Sequence, residues 1–405
     1  MKRIVSFIIL SLMVVGVWAQ NATSSPSSRF GYGELNDNIP GSYRAMGGVG
    51  VGMRSNKAIN PAQPASYTAC DSLTFMFDIA GSFLYTNYGD AHGQRNKVNG
   101  NLEYITMQFP LWRRYVAMSL GVTPYSAVGY NFALTDSINS DYYYTKSYSG
   151  EGGFTQVYGG LSANICDWVA LGANIYYMFG ETTQNRALSF DNANLLSVQQ
   201  DDYLRVNSFR LRYGAQVFHT FGQHTMVLGG MFESKQRFTK CEYKQIEITT
   251  SDTVNTIGTG FEMPMIYGVG LSYGYANRLT IGLDYQCQDW SNVLYFNQKN
   301  QELKTRYLYA FGAEYRHNPN SRKFVDRMYW RIGANYTTSY TDQYNEGCMA
   351  VTIGLGFPLR TIATVINTSF EYGKRGFGTG VLQENYLRFV VNAAIAEHWF
   401  FKRKL

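Results

Sequence analysis

Leu279-Thr280-Ile281-Gly282-Leu283-Asp284-Tyr285-Gln286 decides the fold. Its odd positions are apolar and its even positions small or polar, a period of two that places alternate side chains on opposite faces of a strand. Residues 349–357 repeat the pattern: Met349, Val351, Ile353, Leu355 and Phe357 alternate with Ala350, Thr352, Gly354 and Gly356. In residues 209–217, Arg210, Arg212 and Gln216 interleave with Phe209, Leu211, Tyr213 and Val217. Such runs extend over about ten residues, whereas strands of soluble proteins average about five to six. Ten is the length at which a tilted strand crosses the hydrocarbon of an outer membrane.

The composition agrees. Charged residues make up 16% of the 405, and aromatics another 16%, with 33 Tyr, 25 Phe and 40 Gly. Soluble domains carry about 25% charged residues. A mean hydropathy of −0.23 excludes a bundle of membrane helices. Ample apolar area excludes intrinsic disorder. The net charge of +6 is too slight to point to nucleic acid. Lys2 and Arg3, the uncharged run 4–19 and Val17-Trp18-Ala19 form a secretory signal cleaved after Ala19, and no Cys follows to carry a lipid. The five cysteines are scattered without metal spacing and read as unpaired small hydrophobes.

Fourteen segments with strand character follow, near 73–85, 102–111, 115–126, 154–166, 168–180, 203–221, 224–237, 263–275, 278–289, 303–317, 327–340, 348–357, 361–374 and 385–400. Six short connections, such as Trp112-Arg113-Arg114 and Ala276-Asn277, alternate strictly with seven mostly longer ones, such as 127–153, 181–202 and 238–262. That alternation is what an even-stranded, up-and-down transmembrane barrel with both termini in the periplasm requires. The expected architecture is all-β: a signal peptide (1–19), a tether and luminal segment (20–72), an antiparallel outer-membrane barrel (73–401) and a basic periplasmic tail (402–405).

A charge facing lipid at mid-depth costs about 2–4 kcal/mol. Asp78, Arg210, Arg212, Asp284, Arg306, Glu314, Arg331, Glu371 and Arg388 are therefore expected in the lumen, paired with charges of opposite sign. No enzyme site emerges. Among the five histidines only His92, with Asp90, falls in an expected outer loop, and a base needs an aligned nucleophile. No cofactor or metal is implied.

Residues 20–72 lack alternation. They contain Arg44-Ala45-Met46-Gly47-Gly48-Val49-Gly50-Val51-Gly52 and then Asn60-Pro61-Ala62. No Lys-Ser/Thr follows the glycines, so this is not a phosphate loop; glycine here permits close backbone approach inside a crowded lumen. The two motifs together resemble the N-terminal hatch of FadL-type long-chain fatty acid transporters. Pro124-Tyr125-Ser126-Ala127-Val128-Gly129-Tyr130 and the block from Glu384-Asn385-Tyr386 to Trp399-Phe400-Phe401-Lys402-Arg403-Lys404 are similar to the Bacteroidota branch of that family.

The resemblance implies a fourteen-stranded barrel closed by a hatch, with Arg44, Gly47, Gly48, Asn60, Pro61 and Ala62 as hatch or gate residues. It implies passive uptake of hydrophobic small molecules such as long-chain fatty acids, with lateral exit where the third strand kinks. Pro124, with Gly121 and Gly129, marks that place, because Pro cannot donate to a neighbouring strand. Trp399, Phe400 and Phe401 would form the assembly signal. The partners implied are outer-membrane lipids, lipopolysaccharide and a hydrophobic ligand or detergent. FadL-like barrels also serve as subunits of outer-membrane secretion and assembly machines, so a non-transporting scaffold bound to other outer-membrane proteins is the alternative. The chain departs from many relatives in one place: Arg54-Ser55-Asn56-Lys57 stands where they carry acidic residues.

Overall fold

The computed structural model describes residues 23–90, 93–139, 142–191, 195–248, 253–258, 260–295, 298–299, 302–341, 347–359, 364–377 and 383–398. The signal segment, His92, the aromatic trio Trp399, Phe400 and Phe401, and the basic tail lie outside the described residues.

Fourteen antiparallel strands close into a barrel. They are β1 (Thr74–Asp90), β2 (Gly93–Trp112), β3 (Val116–Asn139), β4 (Tyr142–Cys166), β5 (Val169–Phe190), β6 (Val198–Phe221) and β7 (His224–Glu233). The second half comprises β8 (Met265–Tyr275), β9 (Leu279–Asp289), β10 (Arg306–Tyr315), β11 (Tyr329–Thr337), β12 (Cys348–Pro358), β13 (Val365–Arg375) and β14 (Gln383–His398). Sequential strands are neighbours, and β1 closes on β14 in a register running from Thr74↔His398 to Gly89↔Gln383. Closure removes the free edges that would leave backbone groups bare in hydrocarbon.

The two faces separate as the alternation requires. Leu283 is 51% exposed on the outer face, while its neighbour Asp284 is 8% exposed within. Val269, Ile332, Val351 and Phe370 join Leu283 in the outer apolar surface. An apolar belt this continuous belongs against lipid.

The strands are unequal. β4 has 25 residues and β11 only 9. A strand crosses the hydrocarbon in about 9–11 residues, so β3 to β6 project well past it. The expected long connections 127–153 and 181–202 are accordingly not loops. The first is the paired outer part of β3 and β4, as in Tyr130↔Gly150. The second is that of β5 and β6, as in Gln184↔Asp202. Likewise 238–262 contains a hairpin, Lys240–Ile248 with Thr253–Gly258, that extends the wall from β6. Past Tyr130 in β3 and Thr182 in β5 the side chains of both faces are exposed or half-buried, so the alternation disappears while Tyr- and Thr-rich β-propensity persists.

Residues 23–70 form two short 3₁₀ turns (Pro26–Arg29 and Pro64–Ala69) and a single α-turn, Gly41–Arg44. Their hydrogen bonds reach inward-facing side chains of strands as far apart as β2, β5, β9 and β12, which places them inside the barrel. The fit is made by glycine on both sides. Gly47 has φ +69°, and a β-carbon there would lie 2.5 Å from the Phe311 and Ala334 carbonyl oxygens. From the wall side, a β-carbon on Gly270 would lie 2.2 Å from the Gly52 nitrogen, and one on Gly333 2.1 Å from the Gly47 nitrogen.

Overpacking a close-packed interior costs about 1–3 kcal/mol. Gly270→Leu should therefore lower the melting temperature of the detergent-solubilised barrel. Gly230→Leu serves as the control, because nothing lies within 4 Å of a β-carbon there. Equal melting temperatures for the two variants would show that the luminal segment does not bear on the wall.

Candidate functional site

The candidate site is the lumen and the wall beside β3. At its centre the Asp284 carboxylate of β9 accepts hydrogen bonds from the backbone N–H groups of Gly50, Val51 and Gly52, at 2.5, 2.6 and 3.1 Å. Among the described residues no cation pairs with it. The expected mixed-sign partner is replaced by three amides, since a turn of N–H groups binds a carboxylate as an ion would. Asp78 likewise meets no cation among the described residues; Asn392 donates to it.

The other inward charges do pair. Glu233 bridges Arg210 (2.7 Å) and Arg212. Arg331 meets Glu314 at 2.7 Å, and Arg388 lies 3.9 Å from Glu371. Arg306 grips Asp37 at 2.6 Å, and Arg44 joins Glu103 (3.0 Å) to Glu371 (3.7 Å). Arg375 holds Glu34 and lies 3.5 Å from Glu384. Glu34, Asp37, Glu103, Glu233, Arg375 and Glu384 are the members that the strand pattern did not single out. Glu233, at the inward end of the alternation Thr225, Val227, Gly229, Met231, carried a usable signal.

Asn60 is 1% exposed, and its amide donates to the Gly50 carbonyl (2.8 Å), folding the luminal segment onto itself. The Pro61 carbonyl accepts from Asn174 and Tyr176 of β5, both at 3.0 Å, and Ala62 follows against Gly50. Gly48 packs under Ile39.

The wall is interrupted beside β3. β2 and β3 pair from Trp112↔Val116 only as far as Ile105↔Val122. Beyond that point β2 stays paired with β1 to Gly93, and β3 with β4 to Asn139. Among the described residues no ladder joins β2 to β3 across the remainder. Gly121 is the penultimate paired residue, and its closeness to Tyr158 and Thr106 excludes a β-carbon. Pro124 pairs with Thr155 of β4, and a bulge follows at Tyr125.

The freed edge of β3 is taken by the luminal segment. Glu34 and Leu35 pair with Ala127 and Ser126, the Asn36 N–H donates to the Tyr125 carbonyl (2.8 Å), and the Gly129 N–H donates to the Ser28 hydroxyl (3.1 Å). The cover over this edge is thus residues 28–36, whereas Asn60 and its neighbours lie against β5 and Gly50.

Behind the interruption is a cavity of about 340 Å³ whose lining sets four arginines (Arg44, Arg306, Arg375, Arg388) and five carboxylates (Glu34, Asp37, Glu103, Glu371, Glu384) among apolar residues such as Leu35, Ile39, Leu84, Leu102 and Leu308. Every one of these arginines is already ion-paired. Farther out, Tyr32 packs edge-on against Phe154 and Tyr295 and at a tilt against Trp290, beneath inward-folded connections. Its hydroxyl donates to the Glu262 carbonyl (3.1 Å), and Tyr340 holds the Phe30 carbonyl (3.1 Å).

A family model named BamG matches residues 1–405. The chain belongs to the BamG family. A search of curated proteins finds no match. Solved structures similar to this BamG-family chain include the CymD monoaromatic hydrocarbon channel, at 12% identity and a TM-score of 0.61 over 90% of this chain and 98% of that one. The Ralstonia pickettii toluene transporter TbuX is similar at 14% identity and 0.57, over 88% and 97%. A Pseudomonas aeruginosa FadL homologue gives 10% and 0.61, over 90% and 99%. At these identities the likeness is one of fold: a FadL-type outer-membrane barrel.

Burial alone would raise the Glu34 carboxyl, but the charge and hydrogen bond of Arg375 and the Thr23 hydroxyl hold it down to about 2. A carboxyl depressed in the folded state adds stability above its ordinary range and loses it as pH falls. The melting-temperature deficit of Glu34→Gln should therefore be largest at neutral pH and vanish towards pH 2. A deficit independent of pH would separate Glu34 from Arg375.

Proposed function

We propose that this chain is a sealed outer-membrane barrel that serves as a non-transporting subunit or scaffold of an outer-membrane secretion or assembly machine, with both termini in the periplasm. The charge balance at the wall interruption carries this reading. An apolar solute passing there would have to cross nine charged groups, and the carboxylate of a fatty acid would meet five carboxylates against four arginines that are each ion-paired. The projecting strands β3 to β6 supply a large surface beyond the bilayer for other outer-membrane proteins. The BamG match spans the whole chain, whereas the likeness to hydrocarbon channels is one of fold alone.

The interruption beside Pro124 favours a second reading: passive uptake of hydrophobic molecules such as long-chain fatty acids, with residues 28–36 as the movable cover and lateral exit between β2 and β3. A ligand would then have to break the pairing of Glu34 and Leu35 with β3.

Leu35 and Ser126 are register partners, and antiparallel Cα partners stand at distances a disulfide spans. A Leu35→Cys/Ser126→Cys pair, in a background without the native cysteines, should leave vesicle uptake of a fluorescent fatty acid at the protein-free level in both redox states. The native chain purified in mild detergent should bring stoichiometric outer-membrane proteins with it. Uptake that the disulfide blocks and reduction restores, from a chain that purifies alone, would establish the second reading instead.

A further inference from the structure

Among the described residues, Arg54-Ser55-Asn56-Lys57 takes no part in the ion pairs that fill the lumen. It lines a second cavity, of about 390 Å³, at the end of the barrel where the short turns lie. Arg316, Tyr329 and the Arg331–Glu314 ion pair complete its lining. The Tyr329 ring is flanked by three cations: the Lys57 ammonium lies 5.2 Å from its centroid, and the Arg316 and Arg331 guanidinium carbons each 4.9 Å. Among the described residues, Arg331 alone of the three has a carboxylate partner, Glu314.

Arg54 donates to the Ala65 carbonyl and the Thr68 hydroxyl and stacks 3.9 Å over Phe218. Lys57 and Arg316 both donate to the Tyr329 hydroxyl. Among the described residues no acidic side chain lies within ion-pair distance of Arg54, Lys57 or Arg316.

Solvation alone accounts for a surface cation. It does not account for a neutral group on a residue that lines the same cavity. The Ser42 hydroxyl, on a residue only 6% exposed, has no hydrogen-bond partner, whereas the neighbouring Tyr43 hydroxyl lies by Ser55 and the Glu314 carboxylate. A buried hydroxyl left unsatisfied costs about 1–3 kcal/mol, and an oxyanion brought into the cavity by the three cations would satisfy it. At the same end of the barrel Arg113, Arg278, Arg322 and Lys323 stand exposed in the short turns, while the acidic groups there are engaged: Asp167 with Arg114, Asp71 with Asn56 and Asp326 with Ser321.

We propose that this cavity binds a carboxylate of an acidic polypeptide that approaches the short-turn end of the barrel. The rim decides between a polypeptide and a lone anion, because only a chain carrying several carboxylates engages both the cavity and the turns around it. The luminal position keeps the cavity from the bilayer, so lipid headgroups do not reach it. This rests on the scaffold reading only in taking the partner to be a protein, and it is tested on the isolated chain, so that its failure leaves the co-purification result untouched.

The probe is fluorescein-labelled hexaglutamate, titrated by anisotropy against the full chain in a neutral detergent, with inorganic phosphate as a second titrant. Lys57→Glu should weaken peptide binding about tenfold or more, as loss of a close charge pair does. Lys240→Glu, at the far end of the barrel, should leave it unchanged. Lys57→Gln, checked for an unaltered melting temperature, replaces Lys57→Glu if charge reversal prevents folding. Equal loss in the Lys57 and Lys240 variants would reduce the effect to general surface charge and overturn the proposal. Binding of phosphate without the peptide would overturn it in favour of a free oxyanion.

Discussion

A backbone amide taken out of water must find an acceptor, and the arrangement of this lumen follows from how that is done. Asp284 answers for three consecutive amides at once. A carboxylate on the inner face of β9 would be costly alone, and so would the bare N–H groups of Gly50, Val51 and Gly52; each removes the cost of the other. The contact needs backbone at the wall, which is why the segment is glycine-rich and why the wall opposite it is too. Gly229, Gly270, Gly312 and Gly333 are the places where the two backbones meet. The barrel and its contents are therefore one packing unit.

The same requirement explains the N-terminal residues beside β3. Pro124 and the bulge after it carry β3 away from β2, leaving edge groups that hydrocarbon cannot satisfy. Residues 28–36 supply the missing ladder from within. They are held there by Arg375 on Glu34 and Arg306 on Asp37, and from above by Tyr340 on the Phe30 carbonyl. A wall interruption that would be an exit in a channel is here stitched by pairing, ion pairs and aromatic packing together.

Strand number and inner charges were legible because lipid punishes the wrong face: Leu279 to Gln286 cannot be read in any other register without placing Asp284 in hydrocarbon. The outer halves of β3 to β6 were not legible, since beyond the bilayer no solvent difference separates the faces and the alternation that marks a strand vanishes. Pairing partners were hidden for another reason. Glu233 is one carboxylate among many until closure brings β7 beside β6, and Asp37 gains meaning only when Arg306 is found opposite it across the lumen. Asp284 was read as half of an ion pair because a sequence shows charges and not the direction of amides.

Hydrogen exchange across the intact chain in detergent tests most directly whether the luminal segment and the wall are one unit. Peptides covering residues 32–36 and 46–53 should exchange as slowly as those of β9 and β12, and the amides of Gly50, Val51 and Gly52 should be among the slowest of the segment. Exchange of these amides within seconds, while the strands stay protected, would contradict the account and leave a barrel with a loose plug.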